Sequence, residues 1–291
     1  MLVSLSYRPR GSFIEKLDPR ARWIYSFCFL AAIIQFWDFR FLLFFLFLAV
    51  YQYAASKLTW RETRNAWILV IVVVSSMVIF NTLLTASGTI GSVMEGGHPV
   101  IDLQFRVPLA GWLIHFQLTV ERLWFAVCQV MRIVGIALTF MVIPFTMDPR
   151  VYGVAFKGLG LPDRLAFTLD LAFRFIPTLN RDFNVTMDAQ RARGYEIERV
   201  EGGLIAQVRK VAPLIVPVTM NSILIGEDVA NAMDLRSFGL IKRTWIQVLQ
   251  YRWYDYVLIA FSVILIIATI VIRNAVGIGD FWVPAWLIPA G

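Results

Sequence analysis

The chain has 291 residues, 58% of them hydrophobic and 16% charged, with 23 Phe and 10 Trp. Water-soluble domains average nearer half apolar and a quarter charged, so this composition excludes an ordinary soluble enzyme and points to a chain solvated by lipid. A net charge of +7 invites a nucleic-acid footprint, but the basic residues cluster at the ends of apolar runs, which assigns them to membrane topology instead.

Residues 1–20 are polar and lack the continuous apolar core of a signal peptide. Five apolar runs follow, at 21–37, 39–55, 66–84, 123–145 and 254–272, and each is read as a membrane span. The first two are short and parted only around Asp38, so they predict a tight helical hairpin. The first begins at "LDPRAR" (17–22), where Asp18 is an N-cap and Pro19 fills the first helical position. Five alternating spans leave the N-terminus, the 56–65 loop and the 146–253 stretch on one side. That side carries 22 of the 27 basic residues and is therefore read as cytoplasmic, with the C-terminus external. Cys28 and Cys128 both fall within spans, show no CxxC spacing and are read as packing residues, with no metal site implied.

The outer loop 85–122 contains two stretches of period two. In "IDLQFRV" (101–107), Ile101, Leu103, Phe105 and Val107 alternate with Asp102, Gln104 and Arg106; "IHFQLT" (114–119) alternates again after Pro108 and Gly111. Alternation of this kind predicts a small external β-hairpin. His98, in a Gly-Gly-His-Pro turn, and His115 read either as solvated surface residues or as weak metal-ligand candidates. In the fourth span Arg132 lies ten residues in, about 15 Å deep by helical rise. A central Arg costs about 2.5–3.5 kcal/mol on insertion scales. It is therefore expected to face protein, a polar cavity or backbone carbonyls, either as a structural anchor or as a contact to a partner membrane protein.

The stretch 146–253 starts a helix at "MDPRVYG" with the same Asp-Pro device, at Asp148 and Pro149. In "LPDRLAFTLDLAFRFIPTLNRDF", Asp163, Asp170, Arg174 and Arg181 fall on one helical face, predicting an amphipathic helix at the membrane surface or in a groove under the spans. Pro177 is expected to kink or restart it, giving a second helix from about 177 to 193. After a loop at "YEIERVEGG", a third helix over 204–236 is expected to break at Pro213 or Pro217. The whole is thus an all-α integral membrane protein of about five spans plus long cytoplasmic helices. It divides into an N-terminal membrane region (1–145), a cytoplasmic helical region (146–245) and a C-terminal span with its tail (246–291).

That helical region contains a repeat. At an offset of 43 residues, "DAQRARGY" aligns without gaps on "NAMDLRSF". Ala189 matches Ala232, Ala192 matches Leu235, Arg193 matches Arg236, Gly194 matches Ser237 and Tyr195 matches Phe238. Each Arg follows an Ala by four residues and so shares its helical face, and each sits where Gly194 or Gly239 stops a helix. Spacing alone leaves two readings: two equal plugs for two equal sockets, each guanidinium a fork for a carboxylate, or two positive-inside arginines at the membrane face.

"AQRARGY" followed by "AMDLRSFG" resembles the paired Ala-Arg-Gly-type motifs of the transmembrane T component of energy-coupling-factor (ECF) transporters. The likeness runs along most of the chain. "LDPRAR" is similar to that family's Leu-Asp-Pro-Arg start of the first span, "LAFRFIPTL" to its first coupling segment, "KRTW" follows the second motif as expected, and an Arg in the fourth span fits too. Leu235 in place of a small residue and Ser237 in place of Gly make the second motif the looser match. The resemblance implies a non-enzymatic subunit that binds no cofactor. It would join a small substrate-binding membrane S component to two ABC-type ATPases, which hold the ATP. Arg193 and Arg236 would each enter a groove on one ATPase and pair with an acidic residue. Gly194 and Ser237 would allow close approach, and Ala192 and Leu235 would flank each plug. ATP-driven closure would draw the tips together and reorient the S component, importing a vitamin or a transition metal ion across the cell membrane.

The sequence also lacks a GxxxxGK[ST] phosphate loop, an HExxH and a GxSxG. Two rival readings stand beside the resemblance. One is a membrane-embedded lipid-modifying enzyme using Asp170, Asp182 or Asp188. The other is the permease of an ordinary ABC importer, which presents one short coupling helix rather than two Arg-tipped ones.

Overall fold

The structure, a computed structural model, describes residues 10–86, 99–106, 113–195, 204–240, 244–276, 279, 282 and 284. The chain forms two compact units, one from Ser6–Met147 with Tyr251–Gly291 and the other mainly from Asp148–Gln250.

The first unit contains α1 (Pro19–Ile34), α2 (Phe39–Ala55), α3 (Trp60–Ala86), strands β1 (Pro99–Arg106) and β2 (Leu113–Thr119), and α4 (Val120–Thr146). The helix labelled α8 (Trp253–Val271) completes it, after three helices of the second unit. The five apolar runs form these five helices, of which α3, α4 and α8 contain segments long and apolar enough to cross a membrane, α2 is a shorter apolar helix and α1 falls in neither group. Asp18 caps α1, accepting from the Arg20 backbone N–H at 2.9 Å. Asp38 caps α2 in the same way, from Arg40 at 3.0 Å. An Asp cap at each start and a four-residue connection, 35–38, make the hairpin that the interrupted apolar run predicts. The core lies where α1 and α2 meet α4. Phe29 meets Phe45 edge-on at 5.5 Å, Phe36 stacks on Phe41 at 4.5 Å, and Leu138 and Met141 close the cluster. Small residues let these helices approach. A Cβ at Gly135 would stand 3.2 Å from Ile33 Cδ1.

Among the described residues, four helical segments are long and apolar enough to cross a membrane: Trp60–Phe80, Val120–Thr146, Val211–Leu235 and Trp253–Ala275, with Phe39–Ala55 shorter. Val211–Leu235 was not expected among them. It belongs to the second unit, and Glu227, Asp228 and Asp234 crowd its final turns. Little of α3 is buried along its apolar length, as in a helix facing lipid.

The two alternating stretches pair antiparallel as β1 and β2, with Leu103 opposite Phe116 and Gln104 opposite His115. The pairing is interrupted by an irregularity between Pro99 and Ile101. His98 and the turn at Pro108 and Gly111 lie outside the described residues.

A buried polar knot joins the first and last spans. Asp255, 1% exposed, accepts from the Asp18 backbone N–H at 2.7 Å and from the Arg252 backbone N–H at 2.7 Å. Arg20 chelates Asp18 through Nε at 3.0 Å and an η nitrogen at 2.8 Å, and lies 3.8 Å over the Tyr251 ring. A second knot closes the end of α4. Arg22, itself buried, donates to the Thr146 carbonyl at 3.2 Å, and Arg10 reaches the Phe145 carbonyl at 3.4 Å while pairing with Glu62 at 2.6 Å. Two cations on the last carbonyls of a helix suit its dipole.

The second unit begins with a 3-10 turn at Pro149–Val151, capped by Asp148, and contains α5 (Tyr152–Gly158), α6 (Asp163–Ala192) and α7 (Leu204–Leu235). Here the structure corrects the sequence reading twice. Pro177 does not restart a helix; it lies inside α6, which runs unbroken for 30 residues. Pro213 and Pro217 likewise lie inside α7, which runs for 32. Each proline removes one backbone bond and strains the preceding turn, but neighbouring turns hold both helices together. The expected polar stripe on α6 is not uniform either. Asp170 is buried, paired with Arg174 at 2.8 Å, and sits against Gly153 of α5, where a Cβ would come within 2.7 Å of the Asp170 Cβ.

Candidate functional site

The residues of the repeat end α6 and α7, and their backbones close in the same way. On α6, Gly194 N–H donates to the Arg191 carbonyl at 2.9 Å and Tyr195 N–H to the Gln190 carbonyl at 3.0 Å. On α7, Ser237 N–H donates to Asp234 at 2.9 Å and Phe238 N–H to Met233 at 3.0 Å. Both pairs are the crossed bonds of a Schellman motif, with the Arg as the last residue before the left-handed position. That position is Gly194 at φ +80° in one and Ser237 at φ +53° in the other. The 43-residue offset is thus a structural repeat of two helix ends, down to the individual hydrogen bonds.

Arg193 and Arg236 are exposed, as are Ala189, Ala192, Ala232 and Leu235; Leu235 is 88% exposed. Ser237, Tyr195 and Phe238 are half-buried. Each tip therefore presents an exposed Arg that follows an exposed Ala or Leu in the chain. Asp188 pairs with Arg191 at 3.6 Å across an open surface, a contact of little energetic weight.

The two tips are not brought together. Asn221 of α7 donates to Asp182 of α6 at 3.1 Å, and Phe238 packs on Phe167 with ring centroids 4.5 Å apart. Along these contacts α7 advances as α6 recedes, so the helices run antiparallel. The second tip lies at the start of α6 and the first at its end. From Phe167 to Arg193 the helical rise gives a separation on the order of 40 Å.

Arg132 is placed as an inward-facing residue of α4. An η nitrogen donates to the Phe36 carbonyl at 2.8 Å, and its guanidinium carbon lies 3.5 Å over the Trp37 ring, which stacks on Phe125 at 4.9 Å. Trp37 N–H in turn donates to the Gly279 carbonyl at 2.8 Å.

Three features escaped the sequence reading. Asp255 carries no local signal, because its partner Asp18 is 237 positions away. Arg22 reads as one more positive-inside residue, yet it is buried against α4. Lys157, Asp163 and Trp245 meet at one point: Asp163 Oδ1 accepts from Lys157 Nζ at 2.9 Å and from Trp245 Nε1 at 3.3 Å, and Lys157 Nζ stands 4.9 Å from the Trp245 ring. In the sequence Asp163 reads only as part of a polar helical face and the Trp of "KRTW" only as part of a motif, and nothing local links either to Lys157.

A family model described as cobalt transport protein (CbiQ) matches residues 10–245. Curated relatives carry the name energy-coupling factor transporter transmembrane protein EcfT. That of Leuconostoc gelidum subsp. gasicomitatum is 27% identical over 275 residues, covering 91% of this chain and 95% of the relative. That of Lactococcus lactis subsp. cremoris is 28% identical over 276 residues, with the same coverage of each. That of Lactobacillus helveticus is 27% identical over 281 residues, 92% of each chain. The chain belongs to this family of transmembrane T components of energy-coupling-factor transporters, and is a multi-pass membrane protein.

Proposed function

We propose that this T component couples ATP hydrolysis by two ABC-type ATPases to the reorientation of a small substrate-binding S component in the cell membrane. It imports a vitamin or a transition metal ion; the description of the matching family model names cobalt. The observation that carries the reading is the pair of Schellman ends closed by the same backbone bonds, each with one exposed Arg. One such end is common chemistry for a helix stop. Two with the same bonds, at opposite ends of one antiparallel pair, match two copies of one kind of socket. The chain itself performs no chemistry and holds no cofactor; ATP is bound by the partners. The N-terminus and the 148–250 unit face the cytoplasm, and the C-terminus is external.

Each guanidinium enters a groove on one ATPase and forms a fork to a carboxylate there. Closure of the ATPases pulls on two tips roughly 40 Å apart on a helix pair, and Pro177, Pro213 and Pro217 are the places where that pair bends most easily. The lipid-enzyme reading is disfavoured by geometry. Asp170, Asp182 and Asp188 are strung along α6 over about 27 Å, and each already has a partner, in Arg174, Asn221 and Arg191 respectively.

Removing one member of a desolvated charge pair costs about 2–5 kcal/mol. Arg193→Ala and Arg236→Ala, tested separately, are each expected to weaken ATPase retention by roughly tens-fold or more at their own socket. Lys restores only part, since an ammonium makes no fork. Wild-type retention of both ATPases by each variant in co-purification would overturn the assignment of the tips.

A further inference from the structure

We infer that Lys157, Asp163 and Trp245 form a clasp that positions the second arginine tip by fastening the chain after it to the start of α6. The inference rests on the reading that Arg236 docks an ATPase.

After Arg236 none of the described residues lies in a helix or strand until α8 at Trp253. A helix end followed by a long irregular segment frays readily. Here two contacts among the described residues fasten the segment. Phe238 rests on Phe167, and Trp245 is held by Asp163 and Lys157. Asp163 and Phe167 are four residues apart on α6 and share one face, so both points lie on the same short stretch of one helix. Lys157 comes from the last turn of α5, which ties a third element to the seat.

The Lys157–Asp163 pair is partly solvated, with side chains 34% and 66% exposed, and by itself contributes little. Its placement is what matters. One Asp163 oxygen serves both Lys157 and the Trp245 indole, while the same Lys157 ammonium faces the indole ring. Each member thus orients the other two. A pre-ordered tip binds its socket without the entropy cost of fixing itself on docking. Ser237 makes this useful, because a Ser in the left-handed region holds the turn less well than the Gly of the first tip. Trp245 is therefore a positioning residue acting through Arg236 and touching no ATPase.

The test uses the full chain in lipid nanodiscs and the source organism's own purified ATPase pair, with Trp245→Ala and the milder Trp245→Phe. Phe keeps a ring over Lys157 and loses the indole N–H. Hydrogen exchange on the chain alone is expected to speed up at residues 233–240 by roughly fivefold or more in Trp245→Ala, less in Trp245→Phe, and to stay unchanged at 189–195. ATPase affinity is expected to fall roughly three- to tenfold in Trp245→Ala on the wild-type and Arg193→Ala backgrounds, with no further fall on Arg236→Ala. Unchanged exchange at 233–240 overturns the clasp, as does a loss of affinity that adds fully to Arg236→Ala. Faster exchange together with an Arg236→Ala that binds normally leaves the clasp standing and overturns the docking reading instead.

Discussion

Ser237 holds a backbone angle of φ +53° that an L side chain adopts at a cost of about 1–2 kcal/mol, while its counterpart Gly194, at φ +80°, adopts it freely. A Cβ on Gly194 would meet nothing within 4 Å, so Gly194→Ala tests conformation without a clash. We expect Gly194→Ala to speed hydrogen exchange over 190–195, and Ser237→Gly to slow it over 233–238, by roughly five- to tenfold in each direction. Exchange that ignores both substitutions would show that the left-handed turn does not govern the tips. At Arg132 the contacts are a carbonyl and an indole face. Arg132→Ala loses a charged hydrogen bond worth about 1.5–3 kcal/mol and a desolvated cation–π contact worth about 2. The expected outcome is a lower yield of monodisperse protein and a lower thermal midpoint, with Arg132→Lys recovering part. An unchanged midpoint would return Arg132 to the role of a partner contact. The need for an inward partner was legible from depth alone; Phe36 and Trp37 were not, because they lie 96 and 95 positions away in the chain.

Helix ends were the most legible elements. "LDPRAR" and "MDPRVYG" announce caps that Asp18 and Asp148 make, because a cap needs only neighbours in sequence. Long-range burial is what the sequence could not disclose. Asp170 reads as part of a polar stripe and is buried against Gly153. Pro177 reads as a break and is carried within α6, since the hydrogen bonds of the turns on either side outlast a local penalty of about 3 kcal/mol. The α1–α8 knot belongs to the same class. Asp255→Ala leaves the backbone N–H groups of Asp18 and Arg252 without their acceptor, at about 1–3 kcal/mol each. We expect a clear fall in the thermal midpoint and a smaller one for Asp255→Asn, which keeps one acceptor oxygen. If Asp255→Ala melts like wild type, the first and last spans are joined by apolar packing alone.

Across the whole molecule, the positive bias is what supports the proposed topology, with the N-terminus inside and the C-terminus outside. With Cys28 and Cys128 replaced, a cysteine at Ser4 should be shielded from a membrane-impermeant maleimide in intact cells, and one at Gly291 should react; the opposite pattern would invert the topology. The repeat at residues 188–195 and 231–238 was readable at once, and the structure adds that its two copies share one set of backbone bonds at opposite ends of a helix pair. Neither tip is part of a core, so both arginines can be removed without unfolding the membrane unit. The measurement that bears most directly on coupling is therefore the Arg193→Ala/Arg236→Ala chain, expressed with its ATPases and S component and assayed for ATPase co-purification and substrate uptake in the same membranes. We predict normal membrane levels, loss of both ATPases from the purified chain, and uptake at background; a double variant that retains both ATPases and takes up substrate at the wild-type rate would contradict the account.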